Sequence, residues 1–296
     1  MTQQQTAFIG LGVMGYPMAG HLQTAGYAVS VYNRTASRAR EWLQQFATDA
    51  SGRSGQTPRE TVRESEVVFL CVGNDDDVRS VVYGEHGVLA GMQPGSILVD
   101  HTTASADLAK ELFEACNRSG IGFLDTPVSG GQAGAEQGQL TVMVGGELET
   151  FERAEPVIQS YARAVRLLGP AGCGQLAKMV NQICIAGVLE GLAEAIHFAA
   201  AEQLDVEAVI DVISKGAAQS WQMENRAHTM IRDEFEFGFA VDWMRKDLGI
   251  ALAAARKNGA SLPLTALVDQ MYAEIQAQGG GRWDTSSLIR RLAPLR

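Results

Sequence analysis

The sequence predicts an α/β domain over residues 1–169 followed by an all-α domain over residues 170–296. Three observations carry that prediction. Short, uninterrupted apolar runs alternate with helical stretches through the first part of the chain, a glycine-rich turn follows the first run, and no strand-like run remains beyond Gly169-Pro170-Ala171-Gly172. Apolar strands spaced by helices make a mainly parallel sheet covered on both faces. The length of 296 residues exceeds the usual single domain, and a hydrophobic content of 46% supports a substantial core.

The first run begins at Ala7 and leads directly into Gly10-Leu11-Gly12-Val13-Met14-Gly15. Glycines at Gly-x-Gly-x-x-Gly spacing, behind a strand and ahead of a helix, form a phosphate site. Gly10 permits a tight turn, Gly12 lets the backbone approach a pyrophosphate with no Cβ in the way, and Gly15 lets the helix pack closely on the strand. The anion then sits against unpaired amides at the helix N-terminus. An ordinary glycine-rich turn is the plainer reading of the same residues. The placement between a strand pattern and a helix-length stretch favours a Rossmann-like dinucleotide-binding domain.

The second strand, Ala28–Tyr32, ends in Asn33-Arg34-Thr35. Such a strand normally ends in Asp or Glu, which binds the ribose 2′-hydroxyl of NAD. No carboxylate stands here. Arg34 offers a planar, permanently charged fork for a 2′-phosphate, and Asn33 and Thr35 offer neutral hydrogen bonds, so the turn favours NADP over NAD. The competing reading makes Arg34 a solvated turn residue.

Further strands are predicted at 67–71, 96–100, 122–125, 140–144 and 165–168, with helices at 104–118 and 148–161 among them. Residues 176–202 read as one long helix, in which Gly187-x-x-x-Gly191 and abundant alanine let another helix approach. Helices at 206–214, 220–231, 241–258 and 264–278 complete the second domain. Gly279-Gly280-Gly281 then marks a turn before a short final helix from Ser286.

A net charge of −10 argues against nucleic acid as a partner, since a phosphate backbone demands a basic surface. Met1-Thr2-Gln3-Gln4-Gln5-Thr6 lacks the basic region and apolar core of a signal peptide, which predicts a cytoplasmic protein. The most hydrophobic segment, 183–201, repeats Glu190, Glu194 and His197 along one helical face. A membrane span would not tolerate them cheaply, so a buried helix of a soluble protein is expected, with no membrane partner. Its apolar surface is too broad for one small helical domain to cover, which predicts at least a homodimer, or a homotetramer. Cys71, Cys116, Cys173 and Cys184 show no Cys-x-x-Cys spacing and the five histidines form no cluster, so reduced cysteines and no metal are expected.

Two stretches carry chemistry. Asp125-Thr126-Pro127-Val128-Ser129-Gly130-Gly131 follows a strand, and its hydroxyl and glycines can turn backbone N–H groups toward a substrate carboxylate, although Pro and Gly also populate inert turns. Lys178, Asn181 and Gln182 fall at i, i+3 and i+4 on one face of the long helix. A lysine in that apolar context is costly without a partner or a task. Partly desolvated, its ammonium releases a proton more readily and suits proton transfer at an oxygen; alternatively, it snorkels to solvent.

Together these motifs resemble the β-hydroxyacid dehydrogenase family, which includes 3-hydroxyisobutyrate dehydrogenases and tartronate semialdehyde (2-hydroxy-3-oxopropionate) reductases. The resemblance runs over essentially the whole chain. It includes Gly10, Gly12, Met14-Gly15 and Met18; Asp100-His101-Thr102-Thr103; 125–131 with Gly138 and Val144-Gly145-Gly146; 172–181; and Phe237-Gly238-Phe239 with Lys246-Asp247-Leu248. It implies Lys178 as catalytic acid/base, with Ser129, Gly130 and Gly131 holding the substrate carboxylate and Asn181 orienting the substrate. Phe239 would cover the pocket and Asp247 would support Lys178 or close the site. The cofactor would be bound by Gly10, Leu11, Gly12, Val13, Met14 and Gly15, by Asn33, Arg34 and Thr35, by Val72, Gly73 and Thr103 on the nicotinamide side, and by Lys246 from the helical domain. Three positions depart from the family pattern: Val72-Gly73 in place of Leu-Pro, Gln182 in place of a second asparagine, and Ala106 in place of a proline.

The activity implied is hydride transfer between NADP(H) and a small carboxylate-bearing hydroxy acid or semialdehyde, of the 3-hydroxyisobutyrate, tartronate semialdehyde, succinic semialdehyde or glyoxylate class. Trp221, Met223 and Phe239 are the expected pocket walls. Two alternatives stay open: an imine reductase-like enzyme, whose relatives usually replace the lysine by Asp or Tyr, and a non-catalytic NADP-binding protein on the same fold.

Overall fold

The computed structural model describes residues 4–47 and 52–292, and the chain forms two compact units divided between Lys178 and Met179. Met1, Thr2 and Gln3, part of the stretch read for a signal peptide, lie outside the described residues. The first unit runs β1 (Gln5–Ile9), α1 (Gly15–Thr24), β2 (Ala28–Tyr32), α2 (Ala36–Phe46), β3 (Arg53–Ser54), α3 (Pro58–Val62), β4 (Val67–Leu70), α4 (Asp75–Val82), β5 (Ile97–Asp100), α5 (Ala106–Arg118), β6 (Gly122–Asp125), β7 (Val128–Ser129), α6 (Gly131–Glu136), β8 (Leu140–Gly146), α7 (Leu148–Ile158) and β9 (Ala162–Gly169).

Strand order is β3-β2-β1-β4-β5-β6-β8-β7, with β9 also on β8. The first six strands pair in parallel, while β8 runs antiparallel to β6 and β7. Side chains alternate faces along each strand. Phe8, Val31, Phe69 and Val99 therefore enter one core with Trp42 and Tyr161, while Ala7, Ile9, Val68, Leu70 and Leu98 enter the other. The winding reverses at β1, which lies between β2 and β4. At such a reversal the loops leaving the strand ends part and leave a crevice for a ligand.

The second unit begins within α8 (Cys173–Ala201) and continues through α9 (Val206–Ile213), α10 (Trp221–Ile231), α11 (Val241–Asn258) and α12 (Pro263–Ala277). Its helix ends follow the local sequence. The Ser220 hydroxyl accepts the Met223 N–H at 3.0 Å to start α10, and Gly259 closes α11 at φ 79°. Ala186 and Leu189 pack with Met244, Leu248 and Tyr272, and Leu192 and Ile196 pack with Met223 and Met230.

Three expectations need correction. The final helix is a 3-10 segment, Thr285–Arg291, started by the Asp284 side chain accepting the Ser286 N–H at 3.0 Å. Two-residue strands β3 and β7 were not anticipated. The 183–201 segment is not buried throughout. α8 is long and apolar enough by length and composition alone to cross a membrane, but only 39% of its most apolar 18-residue window is buried. Val188 and Phe198 are exposed on it.

Candidate active site

In the α/β unit the glycines behave as the spacing predicts. Gly10 takes φ +99°, and a Cβ there would collide with the Cys71 carbonyl oxygen; a Cβ on Gly15 would collide with the Gly10 carbonyl. A Cβ on Gly12 would meet nothing within 4 Å. The backbone is thus open where a pyrophosphate would approach. Met14 begins α1 with no side-chain cap, which leaves the helix N-terminus, with its partial positive charge, to accept an anion. These features fit a dinucleotide.

At the end of β2 the three predicted residues divide. The Asn33 side chain ties two loops together, its Oδ1 accepting the Leu11 N–H at 2.9 Å and its Nδ2 donating to the Thr35 carbonyl at 3.1 Å. Arg34 is 90% exposed, with Nη1 3.8 Å from the Asp77 carboxylate of α4. The sequence reading found no carboxylate in this turn; the fold brings one from more than forty residues away. Thr35 precedes α2 without capping it.

The exits of β4, β5 and β6 meet the start of α8. The Val72 N–H donates to Thr102 Oγ1 at 3.1 Å, and the Thr102 N–H donates to Asp100 Oδ1 at 2.9 Å. Gln175 grips the next loop from both ends: its Nε2 donates to the Thr102 carbonyl at 2.7 Å, and its Oε1 accepts the Ala104 N–H at 3.0 Å. Thr103 lies between. Asp125 in turn accepts the N–H groups of Gly172 at 2.7 Å and Gln175 at 2.8 Å, capping the helix that bears Lys178. Lys178 is only 7% exposed, so it does not snorkel.

Burial dominates the electrostatics here. It pushes the Asp100 carboxyl up to about 7 against the opposing Thr102 hydrogen bonds, and Asp125 up to about 6 against those from backbone amides. Burial also lowers His101 to about 4, so its ring is neutral. A carbonyl only accepts, so His101 Nδ1 carries the proton it gives to the Thr126 oxygen at 2.7 Å, and Nε2 accepts from the Tyr161 hydroxyl at 2.8 Å.

The predicted carboxylate loop follows β6. Gly130 and Gly131 take φ +133° and +61°, which disfavour any side chain, and Gly131 has nothing within 4 Å of a Cβ position. Helix α6 starts there. His21, from α1, lies 3.0 and 3.1 Å from the Ala135 and Glu136 carbonyls at the far end of α6, and Gly138 leaves space for that ring. Helix α1 thereby holds α6, the helix that follows the predicted carboxylate loop. His21 carried no legible signal in the sequence.

In the helical unit, Gln182 is the hub. It accepts from Asn181 Nδ2 at 2.8 Å and donates to Asp247 Oδ2 at 2.7 Å, and Lys246 Nζ stands 3.2 Å from Asp247 Oδ1. Asn181, Lys246 and Asp247 are expected site residues; Gln182 stands out in the sequence for sharing a helical face with Lys178 and Asn181 and for replacing a second asparagine. Phe239 is fixed through its N–H, which donates to Asp284 Oδ2 at 2.9 Å. Asp284 was missed, because its partners lie up to 58 residues away.

A dinucleotide cradle at a parallel-sheet switch point, joined to an all-helical unit, defines a nicotinamide dinucleotide-dependent oxidoreductase class. Comparison with known proteins narrows it. Residues 5–169 match the NAD binding domain of 6-phosphogluconate dehydrogenase, and residues 172–292 match the NAD-binding domain of NADP-dependent 3-hydroxyisobutyrate dehydrogenase. An uncharacterized oxidoreductase of Shewanella frigidimarina (strain NCIMB 400) is 60% identical, covering 97% of this chain and 98% of its own. The 2-hydroxy-3-oxopropionate reductase of Escherichia coli (strain K12) is 34% identical over 96% of both chains. Among solved structures, the 3-hydroxyisobutyrate dehydrogenase of Mycobacterium tuberculosis with L-serine superposes with a TM-score of 0.88 at 31% identity, over 99% of this chain and 100% of that one. The chain belongs to the β-hydroxyacid dehydrogenase family and is an NAD(P)-dependent hydroxyacid dehydrogenase.

Proposed function

We propose that this enzyme interconverts a small carboxylate-bearing semialdehyde and its hydroxy acid, with NADP(H) as cofactor and Lys178 as general acid/base. One observation carries the reading: Lys178 is buried in the first turns of a helix whose start is hydrogen-bonded to the loops leaving β5 and β6. Burial disfavours the charged form of an ammonium, which suits a group that gives and takes a proton. In reduction its Nζ protonates the carbonyl oxygen; in oxidation it takes the hydroxyl proton. With its pyrophosphate held at the Gly10 turn, a bound dinucleotide would supply or accept the hydride through its nicotinamide.

Ser129, Gly130 and Gly131 hold the substrate carboxylate in this reading. Asn181, Phe239 and Asp247 are assigned to the substrate, and Lys246, Val72, Gly73 and Thr103 to the cofactor, by resemblance to the family. The retained lysine favours this reading over an imine reductase or a non-catalytic binding protein. We further propose a soluble, cytoplasmic homodimer or homotetramer, a reading supported by the exposed apolar residues Val188, Phe198, Val212 and Leu267 of the helical unit. Sedimentation as an active monomer at micromolar concentration overturns that last part.

NADPH consumption with tartronate, methylmalonate and succinic semialdehydes and glyoxylate tests the activity. Lys178→Ala should lower kcat by about 10²–10⁴-fold with cofactor affinity near normal. Full turnover in that variant assigns proton transfer elsewhere. The preference for NADP rests on Arg34, whose charge-assisted contact to a phosphate is worth about 1.5–3 kcal/mol. Arg34→Asp should therefore weaken NADPH and spare NADH, and equal loss for both rejects the assignment.

A further inference from the structure

We infer that Gln175 is a positioning residue for the hydride-transfer reaction, its side-chain amide holding the cofactor loop around Thr103 in register with the helix that carries Lys178. The inference rests on the proposed roles of Lys178 and Thr103. It concerns a residue outside the set that touches the reacting atoms.

Gln175 is 1% exposed, and an amide buried that deeply is unfavourable unless both of its ends are hydrogen-bonded. Both are, and to the same loop. Nε2 donates to the carbonyl before Thr103 and Oε1 accepts the N–H after it, so the two contacts fix the amide orientation and clamp that one residue's backbone on both sides. Helix packing alone would be served by a leucine. The clamp is itself anchored. The Gln175 N–H donates to Asp125, at the end of β6, and Thr102 is held by Asp100 from β5 and by the Val72 N–H from the β4 exit. Lys178 follows three residues later, just under one turn of the same helix. A displacement of α8 along its axis would therefore carry Lys178 and the Thr103 loop together, which preserves the distance between proton donor and cofactor site.

Two substitutions separate positioning from packing. Gln175→Leu keeps the bulk and removes both hydrogen bonds; kcat should fall at least tenfold while the semialdehyde KM changes less than threefold. Gln175→Glu supplies a pH readout. Its neutral carboxyl can donate to the Thr102 carbonyl and accept from Ala104, whereas the ionised form can only accept. The carboxyls of Asp100 and Asp125, hydrogen-bonded to the same loop and helix start, oppose its ionisation; Asp75 on Ser105, His101, Lys110 beside Gly172 and Lys178 are the other titratable groups close to it. Relative to the wild type, Gln175→Glu should be near full activity at the acid end of the profile. It should fall toward the Gln175→Leu level as pH rises.

Wild-type kcat in Gln175→Leu, or a Gln175→Glu profile that follows the wild type at every pH, overturns the inference. If Gln175→Leu fails to fold, the Gln175→Glu profile decides alone. Lys178→Ala run in parallel keeps the two levels apart. An inactive Lys178→Ala beside a fully active Gln175→Leu rejects positioning and leaves the proposed reaction standing, whereas a fully active Lys178→Ala rejects the reaction.

Discussion

Asp125 in the α/β unit and Asp284 in the helical unit perform matching tasks with different chemistry. Each is at most 1% exposed, and each holds a neighbouring segment through its backbone amides. Asp125 accepts the N–H groups of Gly172 and Gln175; Asp284 accepts those of Phe239 and Ser286 together with the Ser286 hydroxyl. Glycine makes room for both carboxylates, since a Cβ on Gly145 would collide with Asp125 Oδ1 and one on Gly238 with Asp284 Oδ2. The difference is the cation. Arg226 Nε donates to Asp284 at 3.1 Å, while the hydrogen bonds found at Asp125 come from neutral amides at a helix start. Amides and a helix terminus offset burial only in part, which is why the Asp125 carboxyl remains pushed up to about 6. An arginine at Asp125 would set a second fixed charge within about a turn or two of Lys178. The neutral cradle avoids that.

The contrast breaks most visibly at Asp284. Asp284→Ala leaves the Arg226 guanidinium, 16% exposed, without its carboxylate and strips two backbone N–H groups of their acceptor. Removing one partner of a buried pair costs about 3–5 kcal/mol. Urea denaturation should register a loss of that order. A loss below about 1 kcal/mol would mean that the ion pair contributes no more than a surface one.

Asp125→Asn should cost less and should depend on pH. The amide retains one acceptor for two N–H donors, so one donor is left unpaired at about 1–3 kcal/mol. The sign of the pH effect follows from the raised acid. The folded state binds the Asp125 proton more tightly than the unfolded chain, whose carboxyl lies at 3.8. The associated stability is complete below about pH 4 and is lost as pH rises through about 6, at up to about 1.4 kcal/mol per pH unit. The Asp125→Asn penalty should therefore shrink between pH 4 and pH 6. A penalty independent of pH would show that Asp125 is ionised throughout, and the proposed contrast with Asp284 would disappear.

These two aspartates also mark what the sequence could and could not disclose. Ala28–Tyr32, Gly122–Asp125 and Val241–Asn258 were readable to the residue because short apolar runs and a 3.6 pattern closed by glycine are local signals. Strands β3 and β7 were not, since a two-residue strand is defined by its neighbour rather than by its own pattern. The glycine turn was legible for the same local reason, and its collisions with Cys71 and Gly10 give the spacing a steric cause. Asn33 kept its place but gained another task, tying the β1 and β2 exits. Asp77 beside Arg34, Gln175 over the Thr103 loop and Asp284 behind Phe239 were invisible, because each acts on partners 43 to 73 residues distant that only the fold brings close.

The finest distinction is whether charge or shape secures Asp284. Arg226 donates Nη1 to the Asn225 carbonyl at 2.9 Å as well as Nε to Asp284, and its guanidinium lies over the rings of Trp221 at 4.9 Å and Phe237 at 5.0 Å. Arg226→Lys keeps a positive charge near the carboxylate but loses the planar fork and most of the stacking, which contributes about 0.5–1 kcal/mol at sites of this exposure. The expected loss is about 1 kcal/mol, well under that of Asp284→Ala, with a shift in Trp221 fluorescence as the ring loses its cation. Measured by urea denaturation, a loss as large as that of Asp284→Ala would assign the stabilisation to guanidinium geometry. Asp125 and Asp284 would then differ in the shape of their donors as well as in their charge.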